Sequence, residues 1–262
     1  ADAAIMAYQR MEDATAKYAK TNVEGLAFCR DYYMKNGEIR TNPGYDNPNV
    51  VKRAGGEDPE FPVLFFFDNE KNPIGALTSF ACHHDCKAGT EISADYSGVL
   101  SDKMKDKFGR HFVNILFQGY CGNLNSGDYL SPRPKNPVPQ YIKVGNALAQ
   151  AEARLFYEAE DIAIDNVYAE KRVLPVKVRE IPEEVVEEHR WAYENVDNDW
   201  YQMNITNNEN HMFMKTHALS VIALANGKTY LPAYLQIIRL GKDISIYAAP
   251  GEMYVEFQLY IK

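Results

Sequence analysis

The sequence has no excess of basic residues and no long apolar run. Its 262 residues carry a formal net charge of -8 at pH 7. Nucleic acid requires a basic face, so this charge argues against nucleic acid as the main partner. The longest apolar run, FPVLFFF at 61–67, has the length of a strand and is far shorter than the roughly 20 residues that cross a bilayer. No transmembrane segment is therefore expected.

Cysteine is also scarce. The four cysteines are Cys29, Cys82, Cys86 and Cys121. An even number in a chain of this length does not define a disulfide framework, and Cys82 and Cys86 can either bridge or stay reduced. The first twenty residues are amphipathic from their first turn and do not resemble a secretion signal. We expect a soluble protein, either cytoplasmic or exported with a leader that this chain does not contain.

Predicted strands and helices alternate along the chain. Apolar residues at helical spacing predict a helix over 3–20, and two apolar strands around a polar turn predict a hairpin over 61–82. A buried strand is predicted at 111–119. The remaining predicted elements are helices at 93–107, 141–159, 182–195 and 211–226, a strand at 166–181, and two strands followed by a final helix. We therefore predict a single α/β domain, in which helices flank a mixed β-sheet.

Polar residues follow three of the predicted strands. His83, Asn125 with its neighbours, and Glu252 each come after a strand. In open α/β sheets, pockets form where strands stop and loops begin. An imidazole and a carboxylate that converge there can hold Zn²⁺, which takes nitrogen and oxygen ligands and keeps a position open for a catalytic water.

The residues alone leave other interpretations of CHHDC (82–86) open. A histidine at a strand end is often only a hydrogen-bonded structural residue. His83 and Glu252 also lie far apart along the chain, without a local metal motif. A soft-ligand cluster of Cys82, His83 and Cys86 is disfavoured, because alternation along a strand points neighbouring side chains to opposite faces. A thiol enzyme is a further option, although the cysteine spacing does not fit the thioredoxin motif.

Five segments of the chain, in order, resemble those of one known family. They are FCRDYYMKNGEIRTNPG (28–44), EDPEFPVLFFFDNEKNPIGALTSFACHHD (57–85), ISADYSG (92–98), ILFQGYCGNLNSGD (115–128) and IYAAPGEMYVEFQLYIK (246–262). They are similar to the segments DGTVRTNPG, DPEVXVLRFED…GKPIAVLVNFACHP, ISADYPG, FLQGAAGDINP and ALPGEPFVELGLRIK of the neutral/alkaline non-lysosomal ceramidase family. The chain thus resembles the amino-terminal domain of these zinc-dependent amidases, especially their bacterial members.

The resemblance implies a role for each of four residues. His83 and Glu252 occupy zinc-binding positions of the family, and Arg30 matches the arginine that faces the polar group of the substrate. Asn125 stands where the true ceramidases have a serine that is important for catalysis. The implied activity is zinc-dependent hydrolysis of an amide or ester in a small-molecule or lipid-like substrate. In the implied reaction, a water activated by zinc would attack the carbonyl carbon of the substrate.

The chain departs from the family pattern at two zinc ligands. The family's His-x-His-Ser stretch and its tyrosine downstream of Pro-Gly-Glu have no counterpart in 1–262, so two of four protein ligands are present. We therefore expect 1–262 to be an incomplete part of a larger ceramidase-like catalytic domain, completed by another segment or a second chain. Asn123 stands where the family has aspartate. The alternative is a non-catalytic binding or structural domain that kept the fold and lost the complete metal site.

Overall fold

The computed structural model describes residues 2–135, 138–195, 211–227 and 229–262. Its helices are α1 (Asp2–Gln9), α2 (Asp95–Phe108), α3 (Gln140–Glu158), α4 (Glu183–Asn195), α5 (His211–Ala225) and α6 (Val255–Ile261). Its strands are β1 (Thr15–Asn22), β2 (Phe28–Cys29), β3 (Asp31–Met34), β4 (Ile39–Thr41), β5 (Val50–Arg53), β6 (Glu60–Phe67), β7 (Pro73–Phe80), β8 (Val113–Gln118), β9 (Leu124–Asn125), β10 (Glu160–Ile162), β11 (Val167–Lys177), β12 (Tyr230–Leu240) and β13 (Ile244–Ala248). In this described part of the chain, none of the helices is both long and apolar enough to span a membrane.

The described residues cluster into two compact units. The first comprises Ala1–Ala169, Ile238–Ile246 and Gly251–Lys262, and the second comprises Glu170–Ile237 and Tyr247–Pro250. The second unit contains α4, α5 and most of β11 and β12, which belong to the sheet of order β11-β12-β13. All four predicted site residues lie in the first unit. The assignment of 1–262 to one partial ceramidase-like domain stays a prediction.

A five-stranded mixed sheet of order β10-β1-β6-β7-β8 forms the centre of the first unit. Strands β6 and β7 form the predicted antiparallel hairpin, whereas β7 and β8 run parallel, with α2 between them in the chain. The predicted α/β class, with a mixed sheet flanked by helices, is therefore confirmed. Because β7 and β8 are parallel neighbours, the loops that follow them emerge at the same edge of the sheet.

The core of the first unit is rich in aromatic side chains and lies between this sheet and the helices α2 and α3. Alternation along β6 places Phe61, Val63, Phe65 and Phe67 on the helix side of the sheet. The buried helix residues in the same cluster are Tyr96, Leu100, Met104, Val144, Leu148, Ala149 and Leu155. Full burial of one such large apolar side chain stabilises the fold by about 1.5–3 kcal/mol. This packing fixes β6 and β7, and with them the position of the loop after β7.

The helix predicted over 3–20 is wrong in its second half. Helix α1 ends at Gln9, and Thr15–Asn22 form β1, which lies between β10 and β6 in the sheet. β1 pairs antiparallel with β6 along its whole length, with Tyr18 opposite Leu64. This pairing satisfies the backbone of β1 and buries Ala16, so tertiary pairing overrides the helical spacing of the apolar residues.

The strand predicted at 111–119 exists as β8, but the prediction that it is buried is wrong. β8 is the last strand of the described sheet, and Val113, Ile115 and Phe117 are exposed. Leu116 instead packs against the core that α2 and α3 cover. Since side chains alternate between the faces of a strand, the uncovered face leaves every second apolar side chain exposed. The short strands β2, β3, β4, β5, β9 and β10 were not predicted.

A carboxyl group is buried between α3 and β8. Glu152 is fully buried and accepts a hydrogen bond from Asn114 Nδ2 at 2.5 Å, while its Oε2 has no partner. Burial raises the pKa of Glu152 from 4.5 to about 7, against the opposing effect of that hydrogen bond. The folded protein therefore keeps this proton in a pH range in which the unfolded chain has lost it.

We expect the free energy of unfolding to carry a pH dependence from Glu152. The contribution is fully present below the unfolded pKa of 4.5 and is lost as the pH rises through about 7. Its size is up to about 3 kcal/mol. Urea unfolding at about pH 4.5 and pH 8 measures it, and Glu152→Gln should remove it. The exposed Glu158→Gln on the same helix is the matched control. Wild type and Glu152→Gln with parallel pH profiles would contradict the assignment.

Candidate metal centre

His83 lies in the turn after β7, at the edge of the sheet where β8 also ends. Its Nδ1 is 2.9 Å from the carbonyl oxygen of Leu124. A carbonyl oxygen only accepts, so Nδ1 carries a hydrogen and donates it, and in the neutral imidazole Nε2 keeps its lone pair. Hydrogen bonds of this kind fix the tautomer and ring orientation of metal-binding histidines.

The carboxylate of Glu252 lies opposite the second nitrogen of this imidazole, Nε2. Glu252 Oε2 is 3.3 Å from His83 Nε2, although 169 positions separate the two residues. Nitrogen and oxygen ligands at their usual distances from a tetrahedral zinc ion lie about 3.4 Å apart. The two atoms are thus spaced as two ligands of one ion are. The His83 side chain is 17% exposed and that of Glu252 is 73% exposed, so the pair is open on the side of Glu252.

The carbonyl loop, Gly122–Leu124, holds the predicted site residues through its backbone. The Gly122 oxygen accepts a hydrogen bond from the Arg30 guanidinium at 2.6 Å, and the Asn123 oxygen accepts one from the Arg30 N–H at 2.8 Å. The Leu124 oxygen accepts the His83 hydrogen bond. This role was not predicted, because a pattern of side chains does not show where backbone carbonyl groups point. The glycine in this loop is the one signal that the sequence offered.

The segment that carries Glu252 is anchored to the same carbonyl loop. The Gly122 N–H donates to the Met253 oxygen at 2.9 Å, and the Val255 N–H donates to Asn123 Oδ1 at 2.9 Å. A Cβ atom at position 122 would lie 2.3 Å from the carbonyl oxygen of Glu252. Only glycine permits so close an approach of the two backbones.

Arg30 lies beside the carboxylate of Glu252. The pairing of β2 with β9 brings this arginine next to the carbonyl loop. One terminal guanidinium nitrogen is 3.7 Å from Glu252 Oε2, and the Arg30 side chain is 23% exposed. The guanidinium can therefore hold Glu252 and still present N–H groups to a substrate. That second role stays a prediction.

Asn125 is less accessible than the other predicted site residues. It is 7% exposed, its Nδ2 donates to Asn42 Oδ1 at 2.6 Å, and its Oδ1 accepts from the Gly127 N–H at 3.0 Å. The Tyr129 hydroxyl is hydrogen-bonded to the same side chain. The structure thus brings His83, Glu252 and Arg30 together and places Asn125 directly after the carbonyl loop. The catalytic and substrate-binding role of Asn125 stays a prediction.

The cysteines do not form a metal cluster with His83. All four are free thiols, and the Cys86 thiol is hydrogen-bonded to Ser126 Oγ at 3.2 Å. A hydrogen bond with Cys86, together with burial, raises the pKa of the Cys82 thiol and makes it a poor nucleophile. Over the ranges that the structure describes, no group of three or more His, Cys, Asp or Glu side chains is arranged to hold a metal ion. His83 and Glu252 are therefore a pair of candidate ligands without a third in the described residues.

Comparison with known proteins shows the fold. No protein-family model matches the sequence, and no curated protein matches it significantly. Among solved structures, neutral ceramidase from Pseudomonas aeruginosa is similar with a TM-score of 0.64 and 17% identity, over 99% of this chain and 44% of that chain. A ceramidase complexed with C2 is similar with a TM-score of 0.61 and 16% identity, over 97% of this chain and 44% of that chain. The resemblance seen in the sequence is confirmed at the level of the fold. The chain spans less than half the length of these structures.

Proposed function

We propose that this chain is part of a zinc-dependent hydrolase that cleaves an amide bond, or the equivalent ester bond, in a lipid-like or other small-molecule substrate. The proposal rests on the geometry of His83 and Glu252. His83 Nε2 and Glu252 Oε2 lie 3.3 Å apart, and the Leu124 carbonyl fixes the histidine tautomer that a metal requires. This pair lies at the edge of a sheet in a fold shared with two solved ceramidases.

His83 and Glu252 would hold the metal ion. Catalytic zinc usually has three protein ligands, so we expect a further ligand from another segment or a second chain. A zinc ion bound here supplies Lewis-acid polarisation of a carbonyl oxygen and lowers the pKa of a coordinated water. The high exposure of Glu252 leaves room for such a ligand and for the substrate.

The other residues of the site would orient the substrate. Arg30 presents guanidinium N–H donors that can hold a carbonyl or hydroxyl oxygen and stabilise negative charge that develops on it. Asn125 can donate a hydrogen bond from its amide, but it cannot ionise, so it can serve neither as a base nor as a nucleophile. The position of Arg30 between Glu252 and the carbonyl loop supports its role.

The test is hydrolysis of a fluorescent N-acyl amino alcohol and its ester analogue by the full-length protein. We expect activity to fall by at least about 10³-fold when zinc is removed with a chelator, and to return when zinc is added back. Magnesium added in place of zinc should not restore it. Hydrolysis at the same rate in zinc-free and zinc-loaded protein would contradict the proposal.

A non-catalytic binding or structural domain is the second candidate function. It is favoured by the absence of a third ligand among the described residues and by the hydrogen bonds that occupy the Asn125 amide. The encoding reading frame discriminates the two. A His-x-His stretch before residue 1 together with a tyrosine segment after residue 262 supports the hydrolase. If the frame has neither, the binding domain is the better proposal.

A further inference from the structure

We propose that Asn123 is a positioning residue of this site, whose side-chain amide holds the segment that carries Glu252 in its metal-binding place. The inference rests on the proposed function, because it concerns the same pair of ligands. It adds to that proposal a residue whose side chain bonds to Val255 and Glu256 and which acts on Glu252 through the backbone that follows it.

The amide of Asn123 is buried and bonded at both ends to the start of α6. Asn123 is 2% exposed. Its Oδ1 accepts the N–H of Val255 at 2.9 Å, and its Nδ2 faces the two carboxylate oxygens of Glu256 at 3.0 and 3.3 Å. These two partners follow Glu252 by three and four residues. We call Asn123, Val255 and Glu256 the amide clamp.

The polarity of the amide clamp is fixed by its partners. The Val255 N–H can only donate, so it requires the oxygen end of the amide, and the Glu256 carboxylate can only accept, so it requires the nitrogen end. A reversed amide would lose both bonds. Glu256 Oε1 is itself held by the Gly56 N–H at 3.3 Å. Because both ends of this buried amide are hydrogen-bonded, it fixes the segment that follows Glu252 in one conformation.

The backbone around Asn123 contacts the residues on the other side of the site, Arg30 and His83. The carbonyl oxygen of Asn123 accepts the Arg30 N–H at 2.8 Å, and the next residue, Leu124, holds the imidazole of His83. One residue therefore connects the strand that positions Arg30 with the segment that positions Glu252. Movement of Asn123 would change the distance between His83 and Glu252. Metal affinity depends on how the ligands are oriented and spaced.

The test compares Asn123→Ala with the double variant Asn123→Asp/Glu256→Gln. This double variant exchanges the amide and the carboxylate of the amide clamp, and we call it the swapped clamp. The swap keeps the net charge and both hydrogen bonds, because the carboxylate introduced at position 123 accepts from the Val255 N–H and from the new amide at position 256. For Asn123→Ala we expect the zinc dissociation constant of the full-length protein to rise about 10–100-fold. We expect the swapped clamp to stay within about threefold of wild type. Hydrogen exchange of amides 252–256 in the metal-free protein should be faster in Asn123→Ala and normal in the swap.

The variant Gln258→Ala distinguishes a positioning role of Asn123 from a general contribution of α6 to stability. Gln258 anchors α6 elsewhere, through Asp58 at 2.5 Å and the Tyr120 N–H at 2.8 Å, so this variant should lower the melting temperature and leave the zinc dissociation constant unchanged. Unchanged zinc affinity in Asn123→Ala, or a swapped clamp as weak as Asn123→Ala, would overturn the inference. If wild type itself binds no zinc, the proposed function fails, while the exchange measurement in metal-free protein still decides whether the clamp holds the Glu252 segment.

Discussion

Replacement of His83 with alanine is expected to abolish zinc uptake and to lower hydrolysis by at least about three orders of magnitude. The substitution removes one of the two candidate ligands. A metal ion stabilises transition-state charge by several kcal/mol, and each ~1.4 kcal/mol corresponds to about a tenfold change in rate. Glu252→Ala should have the same effect, since its Oε2 lies 3.3 Å from His83 Nε2. Zinc content by atomic spectroscopy and hydrolysis of the N-acyl substrate measure both changes.

His84 provides a matched control for the His83 variant. It is the next residue, yet its Nε2 is hydrogen-bonded to Ser97 Oγ and its ring stacks on Tyr96 with centroids 4.1 Å apart, so it faces α2. We expect His84→Gln to retain zinc at the wild-type level. A His83→Ala protein that holds as much zinc as His84→Gln would contradict the assignment of His83 as a ligand.

Replacement of Gly122 with alanine is expected to have the second-largest effect. The added Cβ would lie 2.3 Å from the carbonyl oxygen of Glu252, so the two backbones must separate. Overpacking of this kind costs about 1–3 kcal/mol of stability. A displacement of about 1 Å at a catalytic group lowers the rate by about 10²-fold. Thermal unfolding and hydrolysis of the N-acyl substrate measure the two consequences.

Gly56→Ala controls for the general effect of adding a methyl group to a loop glycine. A Cβ at position 56 would meet nothing within 4 Å, so we expect its melting temperature to match that of wild type. A Gly122→Ala protein with wild-type stability and wild-type hydrolysis would show that the close approach of the carbonyl loop to Glu252 does not position the carboxylate.

The fold was predictable where a local pattern and a tertiary contact favour the same structure. The β6–β7 hairpin follows from two apolar strands around a polar turn, and α3 follows from helical spacing over a long segment. β1 was predicted as a helix because its pairing partner, β6, lies far along the chain, and the sequence of β1 alone does not show that partner. The exposure of β8 could not be read from its sequence for the same reason. An apolar strand looks the same at the edge of a sheet as at its centre.

The candidate site was predictable only in part. The strand ends made His83 and Glu252 candidates, and the resemblance to the ceramidase family assigned them as ligands, because no spacing rule connects residues so far apart. The strand ends explained why His83 and the carbonyl loop meet, since β7 and β8 are parallel neighbours. Glu252 follows β13, which belongs to a different sheet, so the rule made Glu252 a candidate but does not explain why it meets His83. The backbone bonds of Gly122 and the side-chain amide of Asn123 bring it to the site.

The central claim is that His83 and Glu252 bind one zinc ion, and an anomalous difference map at the zinc absorption edge tests it most directly. Crystals of the full-length protein grown with zinc are predicted to show a peak about 2.0–2.2 Å from both His83 Nε2 and Glu252 Oε2. The same crystals of His83→Ala should show none at that place. Density for both side chains without a zinc peak between them, or a peak held only by other residues, would contradict the claim.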